Sequence, residues 1–130
     1  ARYLTYFEQA RVLYFRKLGL WDGRSFDEIG VILADAHVTF KAPALLGQDL
    51  RVGVRVSRLG NKSFSMEYSL EDTGTGQELA TGSTVLVAFD YLSGQTIPIP
   101  PAWREIITAF EGPALSDGSS AEHAGSHEKR

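Results

Sequence analysis

The sequence contains no cysteine, and that absence removes disulfides and thiolate metal sites from the chemistry open to it. No apolar stretch is long enough to cross a bilayer, and no basic segment followed by a short apolar one marks export. An excess of charge is missing too: 13 basic side chains face 16 acidic ones, a formal net charge of -3, so the electrostatic footprint of a nucleic-acid binder is lacking. Any anion site must therefore be local. These absences lead to the expectation of a cytoplasmic protein without a nucleic-acid partner and without membrane insertion. A helix cap is also missing, because Ala1 stands directly inside a helical pattern with no initiator methionine, and the pattern calls for sequence ahead of it. What is present is ordinary for a globular domain. With 43% apolar and 22% charged residues over 130 positions, the chain suits one domain that buries roughly two thirds of the surface its unfolded form exposes.

Between residues 2 and 18, Tyr3, Phe7, Ala10, Tyr14 and Leu18 recur at spacings of three and four, with Leu4, Leu13 and Phe15 widening the stripe. This predicts one long amphipathic helix, ended by Gly19, with Leu20 packing back on the last turn. Residues 21–30 carry Asp22, Gly23 and Ser25 and read as a loop with one short helical turn at 26–29. The period then becomes two. Ala34, Ala36, Val38 and Phe40 alternate with Asp35, His37, Thr39 and Lys41; Leu50, Val52, Val54 and Val56 with Arg51, Gly53, Arg55 and Ser57; Phe64, Met66, Tyr68 and Leu70 with Ser63, Ser65, Glu67 and Ser69. The second and third of these strands form a hairpin turning at 59–61. A fourth strand covers about 78–89, where Gly82 marks a bend or a close backbone approach. Pro98, Pro100 and Pro101 interrupt pairing, and Pro101 can start a short helix through Trp103 to Phe110. Residues 1–112 make the domain; residues 113–130, rich in Gly, Ser, Glu, His and Lys without apolar periodicity, read as a disordered tail. His123 and His127 have helical metal-ligand spacing there but no third ligand, so no metal is expected.

A long apolar helix followed by alternating strands is an α+β architecture, an antiparallel sheet wrapped around a central helix. Unpaired sheet edges in so small a domain call for pairing with a second copy, a homodimer or a dimer of dimers. The string ARYLTYFEQARVLYFRKLGL resembles the first helix of the 4-hydroxybenzoyl-CoA thioesterase-like branch of hotdog-fold acyl-CoA thioesterases. FKAPALLGQDLRV is similar to the strand, proline and turn that follow in that branch, RLGNKSFSMEY to its central hairpin, and GSTVLVAFDYLSGQTIPIP to its last long strand and exit. The resemblance covers residues 1–112. It implies a hotdog fold and hydrolysis of an acyl-CoA to free acid and coenzyme A, with coenzyme A as part of the substrate and no separate cofactor.

Thioester hydrolysis requires a group that activates water or attacks the carbonyl, and donors aimed at the developing oxyanion. The resemblance implies an Asp in a loop ahead of Ala1 for the first role and the opening amides of the central helix for the second. Within the chain, Glu8 is the one carboxylate of the long helix. It admits two readings, a substitute acid facing an acyl pocket, or a plain helix residue that pairs with Arg11 or faces solvent on the Val12 side. Tyr3, Tyr6 and Phe7 either line the acyl pocket or are plain core. Arg58, Asn61, Lys62 and Ser63 cluster at the hairpin tip, where Lys62 and Ser63 match a Lys-Ser pattern that the resemblance assigns to coenzyme A; a solvated tip is the other reading. Arg51 and Arg55 share the polar strand face. His37, with Asp35 and Thr39, reads as a solvated strand histidine or as part of a dehydratase-like site. Two alternatives to hydrolysis stay open, a hotdog protein that binds an acyl ligand without turnover and a hotdog dehydratase. Acyl chain length is not written in the sequence.

Overall fold

A computed structural model of the chain describes residues 2–20 and 29–117. Helix α1 (Arg2–Lys17) buries Tyr3, Phe7, Ala10, Tyr14 and Phe15 along one side. It ends in two reversed hydrogen bonds, from Leu20 N–H to the Phe15 carbonyl at 2.8 Å and from Gly19 N–H to that of Arg16 at 3.1 Å, with Gly19 at φ 76°. The left-handed glycine lets the chain fold back on carbonyls that the helix leaves unsatisfied.

The strands are β1 (Ile29–Phe40), β2 (Leu50–Leu59), β3 (Ser63–Asp72), β4 (Glu78–Asp90), β5 (Gln95–Thr96) and β6 (Ser116–Asp117), with α2 (Pro101–Glu111) between the last two. They form one six-stranded sheet in the order β1-β4-β3-β2-β6, with β5 on β4. Every pairing is antiparallel except the short parallel contact of β6 with Arg58 and Leu59 of β2. The alternation of β3 decides the two faces. Phe64, Met66, Tyr68 and Leu70 are buried toward α1, while Ser63, Ser65, Glu67 and Ser69 lie on the outer face. Leu86, Ala88 and Val56 join the inner face, and the core sits between it and α1.

Two expectations change. Strand β1 begins well before residue 34, because Leu33 stands opposite Leu86 and Asp35 opposite Val85, leaving Ala34 as an extra residue. That bulge switches parity, so Val31 and Leu33 share a face with Ala36, Val38 and Phe40, and the simple alternation conceals the front half of the strand. Of the expected loop 21–30, residues 21–28 lie outside the described residues and Ile29 and Gly30 are strand. The tail expected to be disordered from residue 113 starts instead with a 3₁₀ turn (Gly112–Ala114) and β6. The open edge of β2 offers backbone partners there, a gain that needs no apolar side chain. His123 and His127 lie outside the described residues.

Candidate functional site

The start of α1 meets the loop that follows β1. The Tyr3 hydroxyl donates to the Ala42 carbonyl at 2.9 Å and accepts the Ala44 N–H at 3.1 Å, while its ring lies 5.0 Å from that of Phe40. The loop is held from its other end by Gln48, which accepts the Leu45 N–H at 2.6 Å and donates to Asp72 at 3.0 Å. Around this junction Leu4, Phe40, Leu45 and Leu46 remain exposed and make an apolar rim. Phe7 is deeper. It is 2% exposed, stacks on Tyr68 at 4.9 Å, and lies directly against Gly82. Behind it runs a polar chain that periodicity does not reveal: Tyr68 Oη shares a hydrogen bond with Thr84 Oγ1 at 2.7 Å and accepts one from Arg11 Nη1 at 3.1 Å. Arg11 thus reaches inward to Tyr68. Glu8 is exposed and has no ion-pair partner among the described residues, so the intrahelical pair with Arg11 does not form. No acidic side chain neutralises the first turn of α1.

The β2–β3 tip brings together the residues that the sequence grouped there. Arg58 Nε donates to Ser65 Oγ at 3.1 Å and Arg58 Nη2 to Ser63 Oγ at 3.4 Å. Asn61 and Lys62 are exposed, and Lys62 Nζ reaches Thr96 Oγ1 at 3.4 Å. A further cation, absent from the sequence reading, comes from the first turns of α2: Arg104 Nη2 donates to the Gly60 carbonyl at 2.6 Å and to that of Asn61 at 3.4 Å. The one signal for it in the sequence is the proline-rich exit of β4, which leads the chain back past the tip. The ion pairs among the described residues leave Arg58, Lys62 and Arg104 without a carboxylate.

His37 is elsewhere. It sits on the outer face opposite Ser83, 3.2 Å from Asp35, whereas its neighbour Val38 pairs with Gly82 on the face that α1 covers. The sheet therefore separates His37 from the helix start. With Lys41, Arg55, Glu67 and Glu78, His37 lines an open outer cleft of about 580 Å³. Its charges are matched internally, Arg55 with Glu67 at 2.7 Å and Lys41 with Glu78 at 2.6 Å, and Arg51 pairs with Glu71 at 3.2 Å. Hydrogen bonds from Lys41 and then Ser69 hold the Glu78 carboxyl below its ordinary range. Among the described residues no group of three His, Asp or Glu side chains is placed to hold a metal ion. None of the described helices is long and apolar enough to cross a membrane.

Known proteins share this fold. A thioesterase of Thermus thermophilus, solved with coenzyme A and Zn, is 36% identical, with a TM-score of 0.72 over 86% of this chain and 79% of that one. A thioesterase-superfamily protein of Jannaschia sp. CCS1 is 26% identical, with a TM-score of 0.76 over 85% of this chain and 70% of that one. YsmA, an uncharacterized protein of Bacillus subtilis (strain 168), is 26% identical over 92 residues, 71% of this chain and 60% of its own length. The chain thus spans less than two thirds of that relative. The sheet around a central helix is the hotdog fold, and with the family model of the Thioesterase-like superfamily matching residues 1–107, the chain belongs to that superfamily.

Proposed function

We propose that the protein hydrolyses an acyl-CoA thioester to free acid and coenzyme A. The observation that carries the reading is the cationic β2–β3 tip, formed on the fold of a superfamily in which a relative 36% identical has been solved with coenzyme A. In this reading Arg58, Asn61, Lys62 and Ser63 meet the nucleotide half, and the acyl group lies along the apolar rim at the start of α1. Tyr3 and Phe7 then form the floor beneath that rim. Water attacks the carbonyl carbon, the C–S bond breaks, and coenzyme A leaves as the thiol. The carbonyl oxygen gains charge as this happens, and the positive end of the α1 dipole, unopposed by an acidic side chain in the first turn, favours it. The resemblance assigns the activating carboxylate to an Asp in a loop ahead of the central helix, and Glu8, which faces solvent, is not placed for that role.

The assay is thiol release from a panel of short, long and aromatic acyl-CoAs, measured on the native polypeptide. Release from at least one member is expected, with His37→Ala leaving the rate unchanged because His37 stands on the far face of the sheet. Tight acyl-CoA binding with no thiol release from any member selects the non-catalytic alternative. Activity abolished by His37→Ala returns the dehydratase-like site to consideration.

A further inference from the structure

Four consecutive carbonyls at the β2–β3 tip are turned into the molecule. Gly60 O accepts from Arg104 at 2.6 Å, Asn61 O from the Ile99 N–H at 2.9 Å and from Arg104 at 3.4 Å, Lys62 O from the Ala88 N–H at 2.9 Å, and Ser63 O from the Gly60 N–H at 2.7 Å. A trans peptide unit is planar, with its C=O and N–H pointing opposite ways. The carbonyl of Gly60 shares its plane with the amide of Asn61, and the carbonyl of Asn61 with the amide of Lys62. Holding those two oxygens inward therefore aims both amides outward. Neither amide has an acceptor among the described residues. Successive outward N–H groups form an anion-binding concavity, and here cations flank it. Arg58 Nη1 lies 3.0 Å from where a Cβ on Gly60 would stand, and the Lys62 ammonium has a hydroxyl as its partner.

The two peptide units are not held equally. The Asn61–Lys62 unit has a second anchor in Ile99, whereas the Gly60 carbonyl has Arg104 as its donor among the described residues. We propose that Arg104 is a positioning residue: it locks the Gly60–Asn61 peptide so that the Asn61 and Lys62 amides face outward and receive a phosphate of the nucleotide half of coenzyme A. The inference rests on the acyl-CoA reading above for the identity of the ligand, while the geometry of the tip stands apart from it.

The test titrates coenzyme A and, separately, pantetheine, which lacks the nucleotide, into the full chain by calorimetry, and follows the Asn61 and Lys62 amide resonances as inorganic pyrophosphate is added. Arg104→Gln should weaken coenzyme A binding by roughly tenfold, the scale of one charge-assisted hydrogen bond, and leave pantetheine binding unaltered. Arg104→Lys, which retains a charged donor for the Gly60 carbonyl, should recover most of the loss. Pyrophosphate should shift both amides in the wild type and not in Arg104→Gln. Equal coenzyme A affinity in wild type and Arg104→Gln overturns the proposal, as does a parallel loss of coenzyme A and pantetheine, which indicates general damage to the fold. Wild-type protein that binds no coenzyme A yet shifts the two amides with pyrophosphate overturns the acyl-CoA reading and leaves the positioning role supported. Amides that stay in place with pyrophosphate overturn the role of the tip.

Discussion

A Cβ on Gly82 would stand 2.6 Å from Cε2 and 2.9 Å from Cδ2 of Phe7, and 3.2 Å from the His37 carbonyl. The Phe7 ring has no free side to retreat to, since it is 2% exposed and stacked on Tyr68. Gly82 is thus where the Phe7 ring of α1 meets the β4 backbone, and the missing side chain is what lets an aromatic ring fill the gap. Gly82→Ala should destabilise the fold by about 1–3 kcal/mol, the usual cost of overpacking a filled core. Pairing it with Phe7→Leu should return part of that loss, because the two sites share one contact and their effects are not additive. Urea unfolding of the two single variants and the double variant measures the coupling; strict additivity would show that the ring and the glycine are not in conflict. A glycine inside a strand is readable as a close approach, but which ring approaches it depends on how the helix lies across the sheet.

At the scale of elements, α2 is tied to α1 and β2 through one carboxylate. Glu111 Oε2 accepts the Tyr14 hydroxyl at 2.7 Å and the Val56 N–H at 3.0 Å. Val56 is on the side of β2 where β6 pairs only at Arg58 and Leu59, so Glu111 completes the edge one step before β6 takes over. Burial, and then the Glu111 carboxylate, push the Tyr14 phenol well above its ordinary pKa. The sign of the consequence follows. Below pH about 10, where an unfolded tyrosine is protonated, the contribution is complete; above it the unfolded chain ionises Tyr14 while the folded chain resists, so stability falls as pH rises. Tyr14→Phe should cost about 1–2 kcal/mol at neutral pH and remove part of the alkaline decline. Melting curves between neutral pH and about pH 11, past the tyrosine range, check this, and an alkaline slope identical in both proteins would refute it. None of the ties was legible beforehand. The alternation of β2, β3 and β4 was readable because each buries one face, and the cations of the β2–β3 tip because a hairpin tip is local in sequence. Strand β6 has no apolar pattern to read, and Arg104 acts on carbonyls 43 and 44 residues away.

Among the described residues the sheet leaves one long edge open. Strand β1 is 12 residues long and pairs with β4 along one side only, with no strand on its other side among the described residues. Its inner face extends past the helix, so that Leu33 is 51% and Phe40 64% exposed. An unpaired edge bearing apolar side chains is a template for another strand, and an isologous pairing of two β1 edges closes it without leaving a further edge to propagate. Such a dimer also carries the apolar rim at the start of α1, which includes Phe40, toward the second copy, so the acyl group would lie near the subunit boundary. The expected outcome is a sedimentation mass of twice the protomer, or four times if dimers associate further, with a melting temperature that rises with protein concentration as coupled association requires. Leu33→Glu places a charge on the inner face at this edge, where pairing would desolvate it, and should shift the protein to monomer while leaving far-UV circular dichroism unchanged. Loss of thiol release in the resulting monomer, with coenzyme A still bound at the β2–β3 tip, is the outcome expected if the acyl site needs both copies. A wild-type protein that sediments as a monomer at all concentrations and remains fully active would show that the β1 edge is tolerated open and that the site is complete within one chain.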